Sequence, residues 1–273
     1  MQQQFDADEV ASGLAADQVA YLGTGSFGET WMVKTEDGNR AIKIIYRPGY
    51  QVERLDREVA SLRRVDHANV VRFYKVFLVA IGSGQYAAME FEYIDGDSLT
   101  RAMSNAAISA VDLNGLARGL LNGLAALHGV DLIHRDLKPE NITLRGNRFD
   151  SPVILDLGLA KLLDIESITR YPALIGSLLY MSPEQLRGER ALKASDLWAV
   201  GTMLYEAATG YHPFFGDGER LTIDDALTRL QRPIAMPEKL PSGIADVIKR
   251  CLSQQAYKRG TVVRLIGLLN QQG

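Results

Sequence analysis

The sequence has only one cysteine and no long apolar run, and these two features exclude several classes of protein. Cys251 is the only cysteine among 273 residues, so no internal disulfide forms and a reducing compartment is expected. Its apolar neighbours predict a small buried hydrophobic residue rather than a reactive thiol. No run of about 18 apolar residues is present, and Met1 to Gln4 lack the features of a signal peptide. We therefore expect a cytoplasmic chain without a membrane segment, either whole or part of a longer protein.

The chain also lacks an excess of basic residues. Its 30 lysines and arginines stand against 33 aspartates and glutamates, which gives a net charge of -3 and a pI near 5.9. Nucleic-acid binding is therefore not expected. Hydrophobic residues make up 47% and charged residues 23% of the chain, a balance typical of globular proteins. We expect a monomer or a transient dimer.

Strand-like patterns dominate the first third of the chain, and helical patterns dominate the rest. Leu55, Val59 and Leu62 predict one helix within the strand-rich part. The predicted strands cover 19–22, 29–35, 40–45, 70–79 and 85–93, and Asp37-Gly38 predicts a turn between the second and third. Leu113, Leu116, Leu120, Leu124 and Leu127 predict one helical face, capped by Asp112 or a neighbour, and further helices are predicted at 195–209, 223–230, 244–252 and 262–269.

This segregation predicts two lobes, with the cleft between them as the default ligand site. The predicted boundaries are an N-terminal extension at 1–18, an N-lobe at 19–93 and a C-lobe at 94–273, with a hinge at about 92–97. The extension is acidic and rich in alanine, and no role for it is predicted.

The segment Gly23-Thr24-Gly25-Ser26-Phe27-Gly28 matches the pattern G-x-G-x-x-G. Alone, the pattern fits a plain turn, a dinucleotide-binding turn or a loop that covers phosphates. A dinucleotide-binding turn needs a helix directly after it, whereas a strand-like pattern follows here. We therefore favour a glycine-rich hairpin whose backbone N–H groups lie over phosphates.

Lys43 lies between apolar residues of the third predicted strand. Its simplest interpretation is an outward-facing charge. If it faces a cleft instead, its ammonium group can bind the α- and β-phosphates of a nucleotide and needs an anion to hold it. Glu58 lies three residues after Leu55 on the predicted helix and can face the same way, so it is the candidate partner.

The stretch His134-Arg135-Asp136-Leu137-Lys138-Pro139-Glu140-Asn141 places several reactive groups close together. Asp136 can orient an attacking hydroxyl and accept its proton, and Lys138 can neutralise the charge of a moving phosphoryl group. Asn141 can offer an oxygen to a metal ion. Asp156 follows a strand-like run and suits Mg²⁺, which takes oxygen ligands and bridges phosphates.

Together these segments resemble eukaryotic-type serine/threonine protein kinases, from about residue 22 to residue 269. The resemblance implies an α+β, bilobal protein-kinase-like fold. Its N-lobe would be small, antiparallel and β-rich with one main helix, and its C-lobe larger and α-helical. It implies transfer of a phosphoryl group from ATP to serine or threonine of protein substrates, including autophosphorylation, with Mg²⁺ or Mn²⁺.

The resemblance also assigns roles to residues at the reaction centre. Asp136 resembles the catalytic base, and Asn141 and Asp156 resemble the metal ligands. Lys43 and Glu58 resemble the ion pair that marks the active state.

A further set of residues would surround the nucleotide. Phe91 would guard the back of the pocket, Glu92 and Ile94 would offer hinge backbone groups to adenine, and Ser98 would reach the ribose. The nucleotide set comprises Leu22, Gly23, Gly25, Gly28, Thr30, Ala41, Lys43, Phe91, Glu92, Ile94, Ser98, Glu140 and Thr143.

The segment from Gly176 to Glu184 resembles the end of a kinase activation segment. Ser177 would contact Asp136 and Lys138, and Glu184 would pair with Arg259. The run at 181–188 is similar to bacterial members of the family. The helix around Asp196-Leu197-Trp198 resembles the one that anchors the catalytic loop.

Arg135 precedes the catalytic aspartate, a pattern linked to activation by loop phosphorylation. Among Ser167, Thr169 and Tyr171, we take Thr169 as the first candidate. The position that matches the usual phosphosite holds Ala173.

Four residues depart from the family pattern. Leu157 replaces Phe in D-F-G and Ser182 replaces Ala in A-P-E, and little loss is expected from either. Thr30 stands where valine usually covers adenine, and Thr143 lies at the position expected below it.

Two other functions remain open alternatives. The two threonines favour a pseudokinase scaffold that binds nucleotide weakly. A kinase-fold enzyme for small molecules ranks lower, because such relatives usually lack the peptide-docking segment present here.

We predict weakened ATP binding, because Thr30 and Thr143 make the adenine slot more polar than usual. A nucleotide titration tests this. Submicromolar affinity of the unmodified chain would contradict the prediction.

Overall fold

The structure is a computed structural model that describes residues 3–25, 28–46, 52–105, 107–157, 178–216, 222–237 and 240–270. The chain divides into two compact units. The described residues of the first lie within Met1–Asp66 and Val71–Ile94, and those of the second within His67–Val70, Asp95–Gly158 and Glu166–Gly273. Strands dominate the first unit and helices the second, which confirms the predicted α+β class. The predicted boundaries at residues 18 and 93 remain predictions.

The first unit is built on a five-stranded antiparallel sheet with strand order β1-β2-β3-β5-β4. Its strands are β1 (Val19–Gly25), β2 (Gly28–Thr35), β3 (Gly38–Ile45), β4 (Phe73–Ile81) and β5 (Gly84–Glu92). Gly38 has φ 105° in the predicted turn between β2 and β3. β4 begins later than predicted, because Val70 forms an isolated bridge with Ile154 instead.

The two faces of this sheet carry different kinds of residue. Thr30 pairs with Lys43 across β2 and β3, so both side chains lie on one face. Trp31 pairs with Ile42 on the opposite face, where both are buried. Lys43 is only 5% exposed. The interpretation of Lys43 as an outward-facing surface charge is therefore wrong.

A short N-terminal helix, α1 (Ala7–Gly13), packs on the face that carries Trp31. The side chain of Asp6 caps it by accepting a hydrogen bond from Asp8 N at 2.9 Å. Phe5 and Val10 are buried in this core, and each such burial stabilises by roughly 1.5–3 kcal/mol. A Cβ on Gly13 would lie 2.1 Å from the oxygen of Ala80 in β4, so only glycine permits this close approach. The acidic N-terminal extension is thus part of the first unit's core.

The helix predicted from Leu55, Val59 and Leu62 is shorter than expected. α2 covers Val52–Glu58, and Leu62 begins a separate 3₁₀ turn, Leu62–Arg64. All three apolar residues are nevertheless buried. Burial of this apolar face therefore does not require one continuous helix.

The second unit is mainly helical. Its helices are α3 (Leu99–Asn105), α4 (Ala110–Gly129), α5 (Pro183–Leu186), α6 (Lys193–Thr209), α7 (Ile223–Leu230), α8 (Ser242–Cys251), α9 (Ala256–Arg259) and α10 (Val262–Asn270). A two-stranded sheet pairs β6 (Ile142–Leu144) with β7 (Pro152–Ile154), and 3₁₀ turns cover Pro139–Asn141 and Arg145–Asn147. In the part of the chain that the structure describes, no helix has the length and apolar character needed to cross a membrane.

The apolar face predicted for α4 is buried along its whole length. Its cap is Ser109, whose side chain accepts a hydrogen bond from Asp112 N at 3.1 Å. Asp112 therefore lies in the first turn rather than at the cap. Cys251 is buried and its pKa is raised to about 12 by that burial, which confirms an inert thiol.

A buried ion pair joins α5 to α9. Arg259 Nη1 and Nη2 donate to the two carboxylate oxygens of Glu184 at 2.6 and 2.9 Å. Ser195 Oγ donates to the same carboxylate at 2.7 Å. Burial raises the pKa of Glu184, but these bonds outweigh it and lower the pKa from 4.5 to about 2. The predicted pair of Glu184 with Arg259 is confirmed.

Glu184→Gln should lower the free energy of unfolding by about 3–5 kcal/mol, because it leaves the Arg259 guanidinium buried without a charged partner. The lowered pKa of Glu184 means that its stabilising contribution is complete above pH 4.5 and is lost as the pH falls toward 2. Denaturant unfolding against pH measures both effects, and the variant should lose this acid-dependent slope. The control is Glu189→Gln, which removes an exposed pair with Arg187 at 3.8 Å. Equal effects of the two variants would contradict the prediction.

Candidate active site

The first unit contributes a glycine-rich hairpin and a buried lysine. β1 and β2 pair up to Gly25 and Gly28, and the strand after Gly28 rules out a dinucleotide-binding turn. A Cβ on Gly28 would lie 1.9 Å from Ile44 O, so only glycine fits there. A Cβ on Gly25 would lie 3.9 Å from Lys43 Nζ. The lysine amine therefore reaches the backbone of the hairpin. The loop residues 26–27 lie outside the described residues.

Ala41 and Phe91, two further predicted nucleotide contacts, lie on the same face of the sheet as Lys43. Ala41 pairs with Phe91 in β5, directly beside the pairing of Lys43 with Met89. Phe91 and Ile94 are buried, whereas Leu22 is 46% exposed. Two more of the predicted nucleotide contacts belong to this unit. Gly23 pairs with Thr30, and Glu92 N donates to Arg72 O at 2.9 Å.

The second unit brings three predicted catalytic residues together. Lys138 Nζ lies 3.2 Å from Asp136 Oδ2. Asn141 Nδ2 donates to the backbone oxygen of Asp136 at 2.7 Å. Pro139 begins the 3₁₀ turn that carries Asn141 and fixes the backbone there. A carboxylate, a cation and an amide thus share one short loop.

Asp156 lies at the same end of the β6–β7 sheet as Asn141. Ile142 pairs with Ile154, and Leu155 N donates to Asn141 O at 2.8 Å. Asp156 has φ 52°, a left-handed conformation that is unusual for a residue other than glycine. Because the Asn141 amide N–H faces Asp136, its oxygen points elsewhere. The oxygens of Asn141 and Asp156 are the donor type that Mg²⁺ prefers.

A buried carboxylate on α6 holds the loop that carries Asp136. Asp196 Oδ2 accepts from His134 N at 3.0 Å and from His128 Nε2 at 2.8 Å, and Asp196 Oδ1 accepts from Arg135 N at 2.8 Å. His134 Nε2 donates to Leu155 O at 2.7 Å. The loop of Asp136 and the strand that leads to Asp156 are therefore tied to one helix.

The substitution of serine for alanine in A-P-E has a structural role. Ser182 caps α5 in a capping box with Gln185. Gln185 Nε2 in turn donates to Arg135 O at 2.8 Å. One glutamine side chain thus joins α5 to the catalytic loop.

The short segment before α5 is held by the buried Tyr180 and the half-buried His212. Tyr180 OH donates to Glu206 at 2.6 Å, and His212 Nε2 donates to Leu179 O at 2.9 Å. Burial raises the pKa of Tyr180, and the Glu206 carboxylate raises it further. Burial lowers the pKa of His212 to about 4, despite the bond to Leu179. Both groups are therefore neutral at ordinary pH.

Two more predicted nucleotide contacts of the second unit lie side by side. Ser98 forms an isolated bridge with Thr143, which is buried. Glu140 is exposed in the turn before β6. The segment 158–177, with Ser177 and the candidate phosphosites, lies outside the described residues, as does the side chain of Glu58. Leu157 is buried, as expected of an apolar replacement for Phe.

Sequence reasoning did not find the roles of His128 and Gln185. Each acts by a contact with a residue far away in sequence, Asp196 for His128 and Arg135 for Gln185. The capping pattern S-x-x-Q at 182–185 was the available signal for Gln185. His128 lies on the apolar face of α4 and gave no signal of its own.

Comparison with known proteins identifies the class. A family profile described as the protein kinase domain matches residues 17–267. The chain belongs to the protein kinase family, and it has the family's bilobal fold.

Its relatives include bacterial and plant kinases. It is 33% identical over 258 residues to the "Probable serine/threonine-protein kinase PkwA" of Thermomonospora curvata, covering 92% of this chain and 33% of that protein. It is 30% identical to serine/threonine-protein kinase pkn2 of Myxococcus xanthus, covering 87% of this chain and 30% of that one. Mitogen-activated protein kinase kinase 7 of Arabidopsis thaliana is 31% identical, with 96% of this chain and 87% of the relative covered. The chain thus spans about a third of the two bacterial proteins.

Asp196→Asn should lower kcat about ten- to hundredfold, since a hydrogen bond to a charged group is worth about 1.5–3 kcal/mol. The asparagine NH₂ would face a backbone N–H of the catalytic loop and displace Asp136. KM for ATP should change little, because Asp196 acts only through that loop. Steady-state kinetics measure both, with Asp150→Asn in an exposed pair with Arg148 as the control. A raised KM with unchanged kcat would contradict the prediction.

Proposed function

We propose that this chain transfers the γ-phosphoryl group of ATP to serine or threonine hydroxyls of protein substrates, itself included. The observation that carries the proposal is the cluster of Asp136, Lys138 and Asn141 on a loop anchored to the buried Asp196. The names of the relatives, which are serine/threonine-protein kinases, support the same reaction.

In this proposal, Asp136 acts on the substrate hydroxyl. Its carboxylate orients the hydroxyl and accepts the proton as the oxygen attacks phosphorus. Lys138, 3.2 Å from that carboxylate, neutralises charge on the transferring group. Ser177, whose structure is not described, would contact both residues. Catalysis then depends on positioning and electrostatics without a covalent enzyme intermediate.

The nucleotide and metal would be held by the residues predicted for them. Asn141 and Asp156 would hold Mg²⁺ or Mn²⁺, which would neutralise phosphate charge when bound. Lys43 would bind the α- and β-phosphates beneath the hairpin, with Glu58 as its partner. The adenine and ribose contacts proposed are Leu22, Gly23, Gly25, Gly28, Thr30, Ala41, Phe91, Glu92, Ile94, Ser98, Glu140 and Thr143.

Location and regulation are also proposals. The single inert cysteine suits the reducing cytoplasm. Arg135 suits activation by phosphorylation in the segment 158–177, with Thr169 as the first candidate. A monomer or a transient dimer remains our proposal for the assembly.

Asp136→Ala should reduce kcat about 10²- to 10⁴-fold, the usual contribution of a general base. Nucleotide binding should be largely unchanged, because the substitution leaves Lys43 and Asp156 in place. Incubation with labelled MgATP and a generic protein substrate, followed by phosphosite mapping, measures this. Asp246→Ala, an exposed carboxylate on α8, is the control. Near-normal turnover of Asp136→Ala would sink the assignment of the base, and a wild-type chain without turnover would favour the scaffold alternative.

A further inference from the structure

A buried carboxylate lies directly behind the glycine-rich hairpin. Glu29 follows Gly28 in β2 and has no exposed surface. Its Cα pairs with Thr24 of β1 and with Ile44 of β3, the neighbour of Lys43. Because side chains alternate along a strand, Glu29 points to the face opposite Thr30 and Lys43. None of the reaction steps proposed above uses this carboxylate.

In the part of the chain that the structure describes, four donors surround the Glu29 carboxylate. Two are backbone N–H groups of the N-terminal segment, from Gln4, in a short hydrogen bond, and from Phe5 at 3.3 Å. The other two are Trp31 Nε1 and Tyr46 OH, each at 3.3 Å. Within the described residues, the segment thus supplies two of the four hydrogen bonds that Glu29 accepts.

All four of these donors are uncharged. A buried carboxylate is costly unless several donors satisfy it. Loss of the segment would remove two of the four donors and uncover the core around Trp31. Glu29 and the segment consequently depend on each other.

The same network reaches the hairpin itself. Tyr21 and Thr24, both in β1, share a hydrogen bond between their hydroxyl groups. The ring of Tyr21 packs edge-on against Trp31, 5.4 Å away between centroids. Phe5 packs edge-on against Tyr86 at 4.9 Å. Both strands of the hairpin are thus fixed from the face that the N-terminal segment covers.

The family profile begins at residue 17, after the N-terminal segment. A purely protective cover would need only the apolar contacts of Phe5 and Val10. The Glu29 carboxylate, next to Gly28, in addition fixes the position of Gln4 and Phe5 relative to the hairpin.

We propose that Glu29 is a positioning residue that fastens residues 3–5 behind the glycine-rich hairpin and so sets the geometry in which the hairpin and Lys43 bind ATP. This inference rests on the phosphotransferase function proposed above. It predicts that the N-terminal segment controls nucleotide affinity although it lies on the other face of the sheet.

The test compares Glu29→Gln, removal of residues 1–5, and the two changes combined. In Glu29→Gln, an NH₂ group replaces one carboxylate oxygen and faces one of the donors, whereas the size of the side chain is unchanged. KM for MgATP should rise about tenfold in each single variant, the size of one hydrogen bond to a charged group, with kcat within about twofold. The combined variant should be no worse than either alone, because both remove the same contact.

The matched control is Val79→Ala, which belongs to the same core but lies in β4, a strand that does not pair with the strand of Glu29. It should lower stability without changing KM. If Glu29→Gln changes KM no more than Val79→Ala does, or if the two single effects multiply in the combined variant, the proposal is overturned.

Hydrogen exchange gives a readout that needs no turnover. Glu29→Gln should remove the protection of the Gln4 and Phe5 amides against exchange, whereas Val79→Ala should retain it. This comparison tests whether Glu29 holds the segment even if the chain without residues 1–5 does not fold. Unchanged protection in Glu29→Gln overturns the proposal. A wild-type chain that binds no nucleotide would refute the proposed function, and this inference would fail with it. Normal wild-type binding with unresponsive variants would refute the inference alone.

Discussion

The arrangement of the loop that carries Asp136 depends on one buried carboxylate. Asp196 accepts hydrogen bonds from two consecutive backbone amides, those of His134 and Arg135, and from the ring of His128. A side chain that binds backbone groups fixes the path of the chain whatever side chains follow. The orientation of Asp136 thus depends on α6, a helix that begins some sixty residues later in the sequence. Asparagine at 196 would satisfy only part of this set, since it offers one acceptor oxygen.

Three buried carboxylates organise the molecule by different means. Glu184 is satisfied by a guanidinium that bonds both of its oxygens. Asp196 is satisfied by two amides and an imidazole, and Glu29 by two amides, an indole and a phenol. The first joins helices to each other, whereas the other two fix stretches of backbone. Backbone amides point in one direction only, so such contacts specify geometry more strictly than a flexible lysine does.

The sequence allowed the chemistry to be predicted better than the supports around it. The reactive loop was readable because Asp136, Lys138 and Asn141 lie within a few residues of one another. The sheet and the face of α4 followed from alternation and helical spacing. The end of α2 at Glu58 was not readable, because apolar spacing continues through the turn to Leu62. The same holds for Glu29, since nothing in a single sequence shows that a carboxylate in a strand is met by amides from far upstream.

The burial of Cys251 has a practical consequence. Its thiol is enclosed in the second unit and its pKa is about 12, so alkylating reagents that require an accessible thiolate will leave it untouched. A cysteine introduced at an exposed position, such as the largely uncovered Val111 at the start of α4, would then be the one accessible thiol of the chain. The protein can therefore carry a single spectroscopic label without removal of its native cysteine.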